Sequence, residues 1–201
     1  MAFALNDKVL IDTFANNEGA MRRAKQAIMV ILGVAVLALT AKMQFFIPGN
    51  PVPVTLTTFA VLTIGAGYGA RLGALTVAGY LAIGAMGFDV FAGSSAEKAG
   101  LVYMMGGTGG YLVGYMLAAL ALGVAARKGW DRNVVTMGLA MLVGSALIYI
   151  PGLLWLHQFA SGWEQTLAWG ITPFLIGDAL KLALAALIVP ALWKLIGDAR
   201  S

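Results

Sequence analysis

The sequence has no cysteine, a single histidine (His157), and charge on only 11% of its 201 residues. The first absence excludes a disulfide framework and a thiolate metal site. The second leaves a catalytic or metal cluster without the side chains it would need, so no cofactor is expected. An ordinary soluble domain is about 25% charged, and the shortage here means that water is not the main solvent. No G-x-x-x-x-G-K-[ST] string occurs, which removes ATP binding of that kind and makes an enzyme reading poor. The string GAGYGA at 65–70 fits G-x-G-x-x-A, but it joins two apolar segments rather than a strand and a helix. It is set aside as a tight turn or a close helix contact.

What the chain does have is apolar residues, 60% of the total. A membrane-crossing helix needs about 20 of them in a row. The pattern reads as an all-α integral membrane protein with six spans, at about 26–41, 55–69, 72–87, 108–126, 133–155 and 173–196. Together these form a membrane domain over 26–201. Residues 1–25, with Phe3, Asp7, Lys8, Asp12, Phe14 and Glu18 among them, read as a cytoplasmic or interfacial lead-in. Pro48, Pro51 and Pro53 prevent a regular helix before Thr55. As one helix, residues 55–88 would be about 50 Å long, too long for a hydrocarbon core of about 30 Å. The chain is therefore expected to turn around within GAGYGARLG at 65–73.

The net charge of +4 is informative through its placement and needs no nucleic-acid partner. With six spans and the N-terminus inside, Lys8, Arg22, Arg23, Lys25, Arg71, Arg127, Lys128, Arg132, Lys194 and Arg200 share one side. These are ten of the thirteen cations. Lys42 and Lys98 fall on the other side. An excess of Lys and Arg marks the cytoplasmic face, so both termini are expected inside a multi-pass protein of the cytoplasmic membrane.

Asp178 and Lys181 are charges well inside an expected span. Each costs about 2.5–3.5 kcal/mol near the centre of an inserted helix, so each needs a partner. Their i, i+3 spacing puts them on one face, near the outer end of span six. The plain reading is a structural ion pair; the functional one is a pair facing a pocket open to the outside. A second candidate is the loop over 89–110, where Phe91, Gly93, Ser94, Ser95, Thr108 and Tyr111 offer an aromatic wall, amides and hydroxyls. Irregular backbone near membrane depth persists where it lines a cavity or is buried in protein, although a solvated loop capped at Thr108 fits equally well. A third is Tyr149, Trp155 and His157 near the outer end of span five, a level where aromatic anchors are common. Small residues recur every fourth position at Ala74, Ala78 and Ala82 and at Gly106, Gly110, Gly114 and Ala118, which allows close helix contacts within the bundle.

The strings PVPVTLTTFAVL at 51–62, DVFAGSS at 89–95, TGGYLVGY at 108–115 and PFLIGDALK at 173–181, in this order and spacing, resemble the BioY family. These are biotin-specific S components of energy-coupling factor (ECF) transporters. The likeness spans about 30–195. It implies the six-helix S-component fold and an external biotin pocket. It also implies partnership with a transmembrane coupling (T) component and two cytoplasmic ABC-type ATPases, and toppling of the S component within the bilayer to release biotin inside. Carried over by position, it implies site roles for Gly177, Asp178 and Lys181 and for Phe91, Gly93, Thr108, Gly109 and Tyr111. Asp178 would accept from the ureido N–H groups, Lys181 would meet the ureido oxygen or the carboxylate, and Phe91, Tyr111, Tyr149 or Trp155 would cover the apolar parts. A lone biotin transporter, an S component for another small vitamin, a lipid-directed membrane enzyme and a passive channel are the alternatives. Tight one-to-one binding of a small solute separates capture from the last two.

Overall fold

The computed structural model describes residues 9–10, 19–95 and 97–198. Phe3, Asp7, Lys8, Asp12, Phe14, Glu18 and Arg200, on which the reading of the N-terminal lead-in and part of the charge count rested, lie outside the described residues.

Helix α1 spans Gly19–Lys42, starting ahead of the apolar run that marked it. The proline-rich stretch that follows is a small hairpin. Its strands β1 (Gln44–Phe45) and β2 (Val54–Thr55) pair antiparallel, and its turn is held by the Asn50 side chain, which accepts from Val52 N and donates to Trp169 O.

Helix α2, Thr57–Ala85, is broken at Gly69, where φ is 76° and ψ is 171°. That backbone region is essentially confined to glycine. The break reverses the chain, as two contacts show. Gly73 lies against Gly65, a pair about 12 Å apart in a straight helix. Thr57 and Tyr80 would be about 35 Å apart in a straight helix, yet they line the same cavity. Among the described residues five helical stretches are long and apolar enough to cross a membrane. Since α2 is two antiparallel legs, they make six crossings.

The other helices are α3 (Gly100–Met104), α4 (Gly109–Arg127), α5 (Val134–Leu156), α6 (Trp163–Gly170) and α7 (Leu175–Asp198). Helix α4 is the hub. Gly114 sits on the backbone of Ile148 in α5, the backbone of Ala119 touches Gly65, and Gly123 touches Gly69 and Ala70 at the tip of the α2 hairpin. Each contact brings two backbones together where a side chain would hold them apart. Helix α6 lies inside a segment expected to be a loop. It is only eight residues long, too short for a readable period, and it is fixed by tertiary contacts: His157 stacks on Trp163 at 4.1 Å and meets Thr166 Oγ1 at 3.0 Å.

The charges sort by end. The hairpin tip carries Arg71 and adjoins the C-terminal end of α4, so Arg127, Lys128 and Arg132 lie at that end. Trp193 Nε1 donates to Asp131 Oδ2, which brings the Lys194 end of α7 there too. Lys42 and Asp89 pair at the opposite end, at 2.5 Å. The helices turn Ile31, Leu39, Val135, Leu142, Ile176 and Leu184 outward. A surface so apolar is suited to lipid.

Candidate functional site

At the end opposite the arginines the helices enclose a cavity with about 590 Å³ of atom-free space, its mouth included. Its polar corner is built by α7. A turn at Thr172–Phe174, with Pro173 in it, starts the helix, and one turn later Asp178 and Lys181 leave the same face. Lys181 Nζ donates to Asp178 Oδ1 at 2.9 Å, to Thr55 O at 2.6 Å and to Thr58 Oγ1 at 3.4 Å. Tyr149 OH donates to Asp178 Oδ2 at 2.5 Å. The pair is 15% and 16% exposed, so its charges are desolvated but matched.

The acceptors from the other side come from the entry to α2. At the end of the proline hairpin, Thr55 leaves its carbonyl free of helical pairing and turns its hydroxyl to Thr57. The remaining wall is aromatic. Tyr111 meets Tyr149 edge to face at 6.1 Å and donates to Gly170 O at 2.8 Å, its ring lying where Gly152 has no side chain. Tyr80, Tyr103, Tyr115 and Phe174 extend it, with Leu112 and Ile148 between them and Val52 and Pro53 at the hairpin side.

Of the residues singled out from the sequence, the fold brings Asp178, Lys181, Tyr149, Tyr111 and Thr108 to this one cavity. The others do not line it. Phe91 is fully buried, stacked on Tyr103 at 5.0 Å and edge-on to Tyr80 at 5.2 Å. Ser94 donates to Asp89 Oδ1, and Lys42 Nζ donates to the same carboxylate oxygen and to Ser94 Oγ. That ammonium and hydroxyl hold the Asp89 carboxyl below the usual carboxylate range. Gly93 has φ of +73° and lies beside the Phe46 ring. Gly109 packs on the Met104 carbonyl, and Trp155 Nε1 donates to Gly106 O at 2.8 Å. These side chains shape and brace the loop that supplies Ala92 and Tyr103 to the cavity. Gly177 leaves open space on α7.

Sequence reasoning missed Thr55, Thr58, Tyr80 and Tyr103. The threonines carried a usable signal: three hydroxyls at 55, 57 and 58 directly after a proline break, at the mouth of a span. The tyrosines carried none, because tyrosine also anchors membrane interfaces.

The chain matches the BioY family over residues 13–198. It is 36% identical over 149 residues to the biotin transporter BioY of Thermotoga maritima, covering 74% of this chain and 85% of that protein. It is 34% identical over 170 residues to "Probable biotin transporter BioY" of Pyrococcus horikoshii, covering 85% and 97%. The fold is similar to a crystal structure of the S-component for biotin from an ECF-type ABC transporter, with a TM-score of 0.76, 22% identity, and coverage of 89% of this chain and 95% of that one. A family match over nearly the whole chain and an S-component fold around one polar-cornered cavity lead to the same conclusion: this multi-pass membrane protein belongs to the BioY family.

Proposed function

We propose that the chain captures biotin from outside the cell as the S component of an ECF transporter, with the cavity at Asp178 and Lys181 as its binding site. The observation that carries this reading is the hydrogen-bond arithmetic at the polar corner. A lysine ammonium has three donors, and all three of Lys181 are directed at Asp178, Thr55 and Thr58. Each Asp178 oxygen accepts one bond and keeps spare acceptor capacity. The corner therefore favours a ligand that donates. Biotin's ureido ring offers two N–H groups, its thioether ring and chain are apolar, and Tyr111, Tyr149 and Phe174 supply a matching wall.

In this reading Asp178 accepts from the ureido N–H groups in charge-assisted bonds. Lys181 holds the carboxylate in place through its 2.9 Å bond and can exchange its 3.4 Å contact with Thr58 for the ureido oxygen. Tyr149 fixes the carboxylate's orientation, and Thr108 borders the cavity from the start of α4. Phe91, Gly93, Ser94, Gly109 and Trp155 contribute by holding the wall in place. As an S component the chain would work with a coupling T component and two cytoplasmic ATPases, which supply the nucleotide-binding motif that its own sequence does not contain.

Equilibrium binding of tritiated biotin to the purified protein, with thiamine and riboflavin as competitors, tests the assignment. One biotin per chain, displaced by neither competitor, is the expected result. Binding of thiamine or riboflavin in place of biotin would end it.

A further inference from the structure

A second concavity lies on the outside of the bundle, between α4 and α5 at the cation-rich end. It has a volume of about 500 Å³ and is bordered by Leu117, Leu120, Val124, Val143 and Leu147, with Lys128 and Trp130 at one end. Its origin is local. Ala121 and Ala125 on α4 and Ala140 on α5 form the floor, and small side chains there leave a trough between larger apolar ones.

Three features specify an occupant. The trough runs from Leu117 to Lys128 along α4, about 16 Å at 1.5 Å per residue, which is half of a hydrocarbon core of about 30 Å and so the depth of one leaflet. Its lining is aliphatic until the end, where a lysine and a tryptophan stand at the level of the headgroups. The charge at that end is not balanced by the nearby acid. The connector over 127–132 reads RKGWDR, but Asp131 is fully buried. It accepts from Trp193 Nε1 and pairs with Arg132 at 3.4 Å, while the Arg132 guanidinium lies over the Trp193 ring. Arg127 and Lys128 are left exposed at the surface.

We infer that this trough is a binding site for an anionic phospholipid of the cytoplasmic leaflet. One acyl chain lies along Leu117, Ala121 and Val124, and the phosphate meets Lys128 and Arg127 beside the Trp130 indole. Basic pockets between helices on the cytoplasmic side are suited to such headgroups. The site lies on the opposite face and end of α4 from the biotin cavity and does not depend on that assignment.

Native mass spectrometry of the protein in a neutral detergent tests it, after addition of phosphatidylglycerol or phosphatidylcholine carrying identical acyl chains. The wild type retains phosphatidylglycerol at least about fivefold more, the effect expected of one cation near an anionic headgroup. Lys128→Gln lowers that preference several-fold, Arg127 keeping the remainder, and Ala121→Phe lowers both by filling the trough. Monodisperse elution of each variant shows that it has folded. Equal retention of the two lipids by the wild type, needing no variant, overturns the inference. So does an unchanged preference in Lys128→Gln. If Ala121→Phe instead keeps its lipid and loses co-purification with the coupling subunit, the trough is a protein interface and the lipid site is wrong.

Discussion

Replacing Asp178 by Asn removes one charge and keeps the shape. The structure sets the size of the effect. The carboxylate neutralises Lys181 at 2.9 Å and accepts from Tyr149 at 2.5 Å, and its remaining lone pairs are the charged acceptors left at the corner. A hydrogen bond to a charged group contributes about 1.5–3 kcal/mol, which at 1.4 kcal/mol per decade is about 10- to 150-fold in Kd. Asn also presents an N–H₂ group toward ligand donors or toward the Lys181 ammonium, so the upper half of that range is expected. Tyr149→Phe leaves the carboxylate but frees its orientation. It loses one bond to a charged acceptor, about 1.5–3 kcal/mol, of which only the part that orients the carboxylate reaches the ligand, so the loss in affinity is smaller than for Asp178→Asn. In the double variant the losses are less than additive, because Tyr149 acts through Asp178. The assay is equilibrium binding of tritiated biotin in detergent, with thermal unfolding run alongside to separate site effects from loss of fold. Wild-type affinity in Asp178→Asn and in Lys181→Ala would refute the reasoning. Additive losses for Tyr149 and Asp178 would refute the positioning role.

Other consequences follow from the fold. Gly69→Ala puts a side chain into a backbone region that costs about 1–3 kcal/mol and pushes toward Val9 at 3.2 Å, so the melting temperature falls while a folded fraction still binds biotin. Trp193→Phe leaves the buried Asp131 Oδ2 without its donor, a loss of about 1–3 kcal/mol visible in the same unfolding assay. Asp89 has its pKa lowered by Lys42 and Ser94, so its contribution is fully present above the ordinary aspartate value of about 3.9 and is lost as pH falls through the lower folded value. With the pair 35% and 52% exposed, that contribution is at most about 1 kcal/mol. The unfolding midpoint of wild type and Asp89→Asn, compared from pH 7 to pH 3, therefore differs little and converges at the acid end.

The features that could be read from the sequence were those that a bilayer enforces. A run too long for one crossing and rich in glycine had to reverse, and the structure reverses it at Gly69. An aspartate and a lysine three residues apart in an apolar span had to find partners, and they face one cavity with Tyr149 and Tyr111. What could not be read was depth. Phe91 and Thr108 looked alike as loop residues, yet tertiary contacts put Phe91 between two tyrosine rings and Thr108 on the cavity. Helix α6 was hidden because its eight residues are held by His157 and Trp163 rather than by a pattern of their own. Thr55 takes part through its backbone carbonyl, and no side-chain pattern announces that.

The most direct test is a structure of the protein with biotin bound. The ureido ring is expected between β2 and α7, with its N–H groups within hydrogen-bond distance of Asp178 and its apolar parts against Tyr111 and Tyr149. Biotin bound elsewhere, or bound in this cavity with its ureido N–H groups turned away from Asp178, would contradict it.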